Sequence, residues 1–294
     1  MATPVKKVVL ITGCSTGSIG NALAREFYER GWHVIATARS LNRLLDLQNL
    51  NIQIEELDLT SSASIDALRQ KVTSLDILFN NAGVVHVQPF SDHTISDFRR
   101  MFDVNFFPIA EMTLAFLPLL LESKGMIVNN GSQLSHVNSP FTSAYGASKS
   151  AVARLTDSMR LELQPLGIRS VYVLTGVVKS NITMGMMRER PPKLPERSLY
   201  MPIKEKAEAA MGGEAVRGKE MDAEIYAKKV VGDLLNGRPP NLICRGYSAT
   251  MTWTAWFLEG FSKGLWDSLG RRLGGLNLLE AKMTVKDKES DKMD

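Results

Sequence analysis

The chain has 294 residues, of which 44% are hydrophobic and 22% are charged, and it carries a net charge of +4. This composition is ordinary for a globular protein with a sizeable core, and so small a charge without a basic cluster gives no reason to expect nucleic-acid binding. With only two cysteines, the sequence indicates neither a disulfide framework nor a metal site.

A strand, a glycine-rich loop and a helix are predicted at the amino end. The β-branched run 8–12 is typical of a strand buried on both faces, and residues 21–30 have a helical pattern. Between them lie Gly13, Gly17 and Gly20, which let a backbone approach a pyrophosphate next to the start of a helix. A plain tight turn is the alternative, but the flanking strand and helix favour a dinucleotide site.

The end of the second predicted strand, 33–39, bears on which dinucleotide binds. A carboxylate there would bond the ribose 2′-hydroxyl of NAD, whereas an arginine accommodates the 2′-phosphate of NADP. The acidic position is Ala38 and the next residue is Arg39. A solvated surface arginine is the alternative, but the sequence favours NADP(H).

Strands and helices continue to alternate to residue 245 without a break in composition. The further strands are predicted at 52–58, 75–79, 125–131, 168–174 and 241–245, and the helices at 61–72, 95–107, 111–121, 144–163 and 222–236. Such alternation predicts a single α/β domain, a doubly wound parallel sheet with helices on both faces. With the two amino-terminal strands, the sheet has seven strands.

Several polar residues follow the predicted strands. Asp58, just past the third strand, can accept a hydrogen bond from an adenine amino group, cap the next helix, or do both. Asn80-Asn-Ala-Gly83 ends the fourth strand, where amides can hold the sheet together and glycine lets a ligand approach. Asn105 lies in an apolar stretch, and a buried amide must form hydrogen bonds. It is therefore either a residue that bridges backbone segments or part of a proton route.

Tyr145 and Lys149 are four residues apart in the predicted helix 144–163, so they share one face about one turn apart. A nearby ammonium favours the phenolate and is expected to lower the tyrosine pKa from its usual ~10. Ser132 ends the fifth strand and offers a hydroxyl for a substrate oxygen. Together these groups are suited to protonating a carbonyl oxygen while a hydride arrives.

The carboxyl-terminal third differs in character. Residues 184–218 are rich in proline, methionine and charge, and we expect a mobile lid over the substrate. The extension 246–280 is rich in tryptophan and leucine, and its residues 246–279 either pack on the substrate pocket or a partner subunit, or lie in a membrane interface. The alternating charges of 281–294 predict a solvated tail.

The amino terminus does not resemble a signal peptide, and no uncharged apolar run reaches the ~18 residues of a membrane span. The two cysteines give no sign of an oxidising compartment. We therefore expect a cytoplasmic protein, with peripheral attachment to an intracellular membrane or lipid droplet as the alternative.

Five motifs stand in register over roughly residues 5–245. They are Thr12-Gly-x-x-x-Gly17, Asn80-Asn-Ala-Gly83, Asn105, Ser132 and Tyr145-x-x-x-Lys149. On these motifs the chain resembles the short-chain dehydrogenase/reductase family. The resemblance implies a Rossmann-type fold with NAD(P)(H) under the tyrosine-bearing helix. It also implies a catalytic tetrad, in which Tyr145 is the general acid and Ser132 holds the carbonyl oxygen. Lys149 would bond the nicotinamide ribose, and Asn105 would anchor a water for proton relay.

The same resemblance implies a set of cofactor contacts, and the sequence itself shows no metal-ligand cluster. The contacts are Gly13, Ser15, Gly17, Ile19, Gly20, Arg39, Asp58, Leu59, Asn81, Gly83, Tyr145, Lys149, Val178 and Ser180. Three features depart from the family pattern: Ser18 is an extra residue in the glycine loop, Thr175-Gly176 replaces the usual Pro-Gly, and Ser180 stands where a threonine often bonds the carboxamide. With the tryptophan-rich end, these departures resemble a fungal branch similar to acyl-dihydroxyacetone-phosphate reductases.

The resulting hypothesis is an NADPH-dependent oxidoreductase of lipid or secondary metabolism. It would reduce a ketone on a lipid-like or polyketide-like small molecule, or oxidise the matching alcohol. The alternatives are a non-redox cyclase or isomerase on the same scaffold and a nucleotide-binding regulatory protein. An intact tetrad weighs against both, because a site without hydride chemistry does not need all four groups. The family often forms dimers or tetramers, so a homo-oligomer is also expected.

Overall fold

The structure is a computed structural model that describes residues 6–185, 191–257 and 268–290. Seven strands form one parallel sheet in the order β3-β2-β1-β4-β5-β6-β7. The strands are β1 (Val8–Ile11), β2 (His33–Ala38), β3 (Gln53–Glu56), β4 (Ile77–Asn80), β5 (Met126–Asn130), β6 (Arg169–Thr175) and β7 (Leu242–Arg245). The strand order reverses between β1 and β4, and the crevice beside their carboxyl ends is where ligands bind in such sheets. The predicted doubly wound, seven-stranded sheet is confirmed.

Helices cover both faces of this sheet. Within the described residues they are α1 (Ile19–Glu29), α2 (Leu45–Gln48), α3 (Ser62–Lys71), α4 (Ile95–Asn105), α5 (Phe107–Ser123), α6 (Ser143–Leu163), α7 (Asn181–Met184), α8 (Lys204–Met211), α9 (Ala223–Leu235), α10 (Ala249–Phe257) and α11 (Leu276–Ser290). On one face, α1 and α9 pack with Val9 and Ile11 of β1, and Tyr226 of α9 is fully buried there. On the other, α3, α5 and α6 pack with Leu10 and Phe116. The central strands β1 and β4 are fully buried because neither of their faces meets water, whereas the edge strand β3 is polar and only partly buried.

Helices α4 and α5 follow each other directly. The stretch Ile95–Ser123 is long and apolar enough to cross a membrane by length and composition alone. Phe106 interrupts it as the N-cap of α5, and Pro108 lies in the first turn, where a missing N–H costs nothing. Phe116 of α5 is fully buried against the sheet. This stretch therefore contributes to the protein core.

Part of the segment predicted as a lid, 184–218, packs on the domain. Residues 186–190 lie outside the described residues. Around helix α8, a buried cluster forms from Phe141, Leu194, Ile203, Ala207 and Met211. Leu276 and Leu279 of α11 pack against the same cluster. Closure of this segment over a substrate stays a prediction.

The first residues of the predicted extension belong to the main domain. Tyr247 pairs with Val177 in an antiparallel bridge, and in α10 Ala249 and Thr252 are buried. The packed domain therefore continues past the predicted boundary at 245. Phe261 and Trp266, and the side chains of Trp256 and Phe257, lie outside what the structure describes. Much of the predicted tail belongs to α11.

Candidate active site

A cleft of about 480 Å³ opens at the edge of the sheet where the strands end. It is lined by these predicted residues: Gly13, Ser15, Ile19, Arg39, Asp58, Leu59, Asn81, Gly83, Ser132, Tyr145, Lys149, Val178 and Ser180. Residues distant in sequence meet here because parallel strands bring their carboxyl ends to one edge. The roles of these residues toward a cofactor stay predictions.

Two predicted glycines support the cleft without lining it. A Cβ on Gly20 would lie 2.5 Å from the Gly13 carbonyl oxygen and 2.6 Å from Asn81 Nδ2, so α1 can approach the loop only with glycine there. Gly17 has a φ of +76°, and its Cβ would lie 2.7 Å from Asn181 Oδ1. Both positions therefore need glycine for packing or backbone conformation.

Ser18, the extra residue of the glycine loop, is the N-cap of α1. Its Oγ accepts a hydrogen bond from the Asn21 backbone N–H at 3.1 Å and donates to the Gly13 carbonyl at 3.0 Å. Beneath the loop, Asp46 accepts hydrogen bonds from Thr16, Asn21 and Arg25. Burial raises the pKa of Asp46, but these hydrogen bonds outweigh it and the net shift is downward. The sequence did not single out this anchoring carboxylate, since its partners are distant along the chain.

Arg39 and Arg43 both line the cleft near the end of β2. Asp58 also lines the cleft, and its Oδ1 accepts from the Thr60 backbone N–H at 2.9 Å and hydroxyl at 2.7 Å. These hydrogen bonds lower the pKa of Asp58, and the charge of Arg39 adds to the effect. The N-cap of α3 is Ser61, so the alternative that Asp58 caps this helix is wrong. Contact with an adenine amino group stays a prediction.

Tyr145 and Lys149 lie one turn apart on α6, as predicted, but their pKa values differ from expectation. Burial raises the pKa of Tyr145, and a hydrogen bond with Ser132 offsets only part of this rise. The expected lowering by Lys149 is therefore wrong for this structure, because desolvation of the phenolate dominates. Burial also lowers the pKa of Lys149 from 10.5 to about 8. At neutral pH the pair is thus a neutral phenol beside an ammonium.

The Lys149 ammonium is held by a hydrogen bond to the end of strand β5. Its Nζ donates a hydrogen bond to the Asn130 backbone carbonyl at 3.0 Å. A Cβ on Gly83 would lie 3.1 Å from Asn105 Oδ1 and 3.4 Å from the same Nζ, so a side chain there would first press on the Asn105 amide. Asn130 and Gly131 also line the cleft, although the sequence did not mark them as site residues.

Ser132 is held in place through its backbone N–H, which bonds to a neighbouring tyrosine. Its N–H donates to the Tyr172 hydroxyl at 3.2 Å, and Tyr172 in turn donates to Ser135 Oγ at 2.8 Å. A Cβ on Gly131 would lie 1.9 Å from the Tyr172 ring, so this ring can reach Ser132 only past a glycine. The polar end of Tyr172 within an apolar strand was the sequence signal for this contact.

Asn105 is fully buried behind the cleft. Its Oδ1 accepts from the Val84 N–H at 2.9 Å, and its Nδ2 donates to the Val84 carbonyl at 3.0 Å and to Ser148 Oγ at 3.1 Å. The side chain therefore bridges backbone segments, which was one of the two predicted roles. Its part in a proton relay stays a prediction.

A separate polar group lies at the start of α4. Ligand atoms of His86, His93 and Asp97 lie within 4.8 Å of one another, close enough to hold a metal ion. The sequence indicated no such cluster because the three residues are not adjacent. However, Arg100 Nη2 lies 3.3 Å from His86 Nδ1 and 3.6 Å from Asp97 Oδ1, so a guanidinium already supplies the positive charge. We therefore assign no metal to it.

A dinucleotide crevice with a phenol and an ammonium at its edge is typical of an oxidoreductase that transfers hydride, and known proteins agree. A family model described as short chain dehydrogenase matches residues 7–191. The chain belongs to the short-chain dehydrogenase/reductase family. The predicted family, Rossmann-type fold and enzyme class are confirmed.

Three comparisons show how far this similarity extends. A short-chain dehydrogenase/reductase of Pestalotiopsis microspora is 39% identical over 280 residues, covering 95% of this chain and 98% of that protein. The NADPH-dependent 1-acyldihydroxyacetone phosphate reductase of Schizosaccharomyces pombe is 40% identical over 207 residues, or 68% of this chain and 69% of that protein. The structure of a short-chain dehydrogenase from Streptomyces avermitilis has a TM-score of 0.73 and 26% identity, covering 99% of this chain and 100% of that one. The predicted similarity to a fungal branch is also confirmed.

Proposed function

We propose that this protein is an NADPH-dependent reductase of a ketone on a lipid-like or polyketide-like substrate, able to run the reverse oxidation. The observation that carries the proposal is the arrangement of Ser132, Tyr145 and Lys149, which line one cleft with the phenol one helical turn from the ammonium. Burial raises the pKa of the phenol, and the Lys149 ammonium is anchored on the Asn130 carbonyl at 3.0 Å. A phenol that keeps its proton at neutral pH is suited to giving it to a carbonyl oxygen. The site is therefore suited to ketone reduction, and the same phenol as phenolate would accept the proton in the reverse oxidation.

Each side chain has a distinct task in this reaction. NADPH, when bound, supplies the hydride. Tyr145 donates its proton to the carbonyl oxygen, and the Ser132 hydroxyl donates a hydrogen bond to the same oxygen. The Lys149 ammonium stabilises the negative charge that Tyr145 acquires as its proton leaves. Asn105 supports this arrangement through Val84.

Two features support the substrate class. Val84, Val104 and Ile182 give the cleft apolar lining beside its polar groups. The Schizosaccharomyces pombe relative is named for a reaction on an acylated phosphate, a lipid precursor. The direct test is nicotinamide absorbance when NADPH is mixed with a panel of acylated and aromatic ketones. Conversion of substrate without oxidation of NADPH would instead indicate the cyclase or isomerase alternative.

We expect NADPH to be preferred over NADH because Arg39 lines the cleft and no carboxylate occupies position 38. A charge-assisted hydrogen bond is worth ~1.5–3 kcal/mol. Ala38→Asp/Arg39→Leu should therefore lower kcat/KM for NADPH by about 10–100-fold and improve NADH use. Steady-state kinetics with both cofactors test this, with Arg160→Leu on α6 as the matched control. A wild-type preference for NADH would contradict the assignment.

We also propose a cytoplasmic enzyme that contacts anionic membranes through residues 268–273. Leu269 and Leu273 are exposed there beside exposed Arg271 and Arg272, a mixture suited to a lipid interface. The full-length protein should float with anionic liposomes, and Arg272→Glu should float less. Arg271 is left unchanged because its guanidinium forms an ion pair with Glu280 of α11. Charge reversal is preferable to truncation, since Leu276 and Leu279 pack on the domain. Full-length protein that does not float would contradict the proposal.

A homo-oligomer belongs to the same proposal. Phe107 and Leu114 of α5 and Leu161 of α6 are large apolar side chains that face solvent in the single chain. Exposed apolar groups on neighbouring helices are typical of surfaces that meet a second copy.

A further inference from the structure

Three buried polar side chains have no task in the reaction described above, although two of them, Asn130 and Thr175, line the cleft. Asn130 ends β5, Thr175 ends the neighbouring strand β6, and Tyr226 lies in α9 beneath them. They are 7%, 7% and 0% exposed. Buried polar groups are costly unless they are hydrogen-bonded, so their partners define what they do.

The three side chains form a chain of hydrogen bonds in which each donor and each acceptor can be assigned. Thr175 Oγ1 donates to Asn130 Oδ1 at 2.5 Å. Since that uses the single hydroxyl proton of Thr175, the Tyr226 hydroxyl must donate to Thr175 Oγ1, at 2.6 Å. The Tyr226 hydroxyl is 3.5 Å from Asn130 Oδ1, too far to replace Thr175 as its donor.

Asn130 connects this hydrogen-bonded chain to two parts of the site, the glycine loop and the Lys149 ammonium. Its Nδ2 donates to Asn81 Oδ1 at 2.9 Å, and Asn81 Nδ2 donates to the Thr12 carbonyl at 2.8 Å, at the entry of the glycine loop. The backbone carbonyl of Asn130 accepts from the Lys149 ammonium at 3.0 Å. One residue thus contacts both the ammonium of the proton-transfer site and the amide that holds the nucleotide loop.

We propose that Thr175 is a positioning residue, which fixes Asn130 so that Lys149 and the glycine loop are held in register for the reaction. The inference rests on the proposed function. Thr175 is suited to this because its β-branched side chain fits a strand and its hydroxyl can accept and donate at once. Proline, usual at this position in the family, could do neither from its side chain.

Thr175→Val tests the proposal because it keeps the shape and removes the hydroxyl. Asn130 then loses its donor, and the chain to Asn81 loosens. We expect NADPH to bind about tenfold more weakly, measured by the fluorescence of the bound nicotinamide. Thr175→Ser keeps the hydroxyl and should restore affinity to within about twofold of wild type.

Thr156→Val is the matched control. The Thr156 hydroxyl accepts from Asn129 Nδ2 at 2.9 Å, on the same strand as Asn130, but Asn129 connects to Asn80 and not to the cleft. The control therefore loses an equivalent buried hydrogen bond and a similar amount of stability. It should bind NADPH like wild type.

A second readout needs neither cofactor nor substrate. An NMR titration of the lysine side chains, assigned with Lys149→Met, gives the pKa of Lys149 in the cofactor-free protein. It should fall in Thr175→Val, because a displaced Asn130 carbonyl stabilises the ammonium less, and stay unchanged in Thr175→Ser and Thr156→Val. A Lys149 titration that is the same in Thr175→Val and Thr156→Val would overturn the proposal even if NADPH bound more weakly, because Thr175 lines the cleft and its loss would then act by direct contact. A protein that shows the Lys149 difference but reduces no ketone would contradict the proposed function alone.

Discussion

Tyr145→Phe should lower the rate of ketone reduction by about 10²–10⁴-fold while leaving NADPH affinity nearly unchanged. The substitution removes the proton donor and almost no volume. The phenol of Tyr145 has a raised pKa, so in wild type it is protonated at neutral pH and ready to donate. Single-turnover kinetics with a saturating ketone measure the chemical step, and nicotinamide fluorescence measures cofactor binding.

Tyr172→Phe is the control for this experiment. It also loses a phenol close to Ser132, one that donates to Ser135 and accepts from the Ser132 N–H. Because Tyr172 does not line the cleft, it should cost much less activity than Tyr145→Phe. Near-wild-type turnover in Tyr145→Phe would remove Tyr145 from its role as the acid.

Lys149→Met should nearly abolish reduction, by about 10²-fold or more, and should also weaken NADPH binding. It should nevertheless make the protein more stable at pH 7, because the wild-type fold buries a charge there. At ~1.4 kcal/mol per pKa unit, the fall from 10.5 to about 8 corresponds to about 3 kcal/mol. The Asn130 carbonyl, left without its donor, offsets part of this gain. Thermal unfolding at pH 7 measures the difference, and a Tm below that of wild type would contradict the prediction.

The pH dependence follows from the same group. Lys149 is protonated below about pH 8, so the rate of reduction should fall as pH rises through that value. The free energy of unfolding should instead increase as pH rises, because the unfolded chain binds the Lys149 proton more tightly than the folded protein does. The contribution of Lys149 to the free energy of unfolding is therefore lowest below pH 8 and rises between about pH 8 and 10.5. Lys149→Met should lack this rise, which distinguishes it from the titration of other groups.

The sequence predicted the residues that line the cleft because their spacing has a local cause. Gly13 and Gly20 belong to a strand-loop-helix unit, and Tyr145 and Lys149 share a helix face through the 3.6-residue period. The central strands were predicted for a similar reason, since both of their faces are buried and their sequences are largely apolar runs. All seven lie where they were predicted.

Burial reversed one expectation, the pKa of Tyr145. The spacing of Tyr145 and Lys149 indicates an attractive charge but contains no information on how much water reaches either group. In the structure, desolvation raises the pKa of the phenol and lowers the pKa of the ammonium. The balance between charge and desolvation depends on what packs around the pair.

Long-range contacts were also decided only by the tertiary structure. Nothing local relates Tyr226 to Asn130, 96 residues apart, yet their hydroxyl and amide meet Thr175 in one buried chain. Gly131 is a glycine because a tyrosine ring from the next strand occupies the space of its Cβ. By itself the sequence determined the fold, the family and many of the residues at the cleft, since these follow from local period and motif spacing. The structure decided their protonation and their supports, which depend on which distant side chains share one low-dielectric interior.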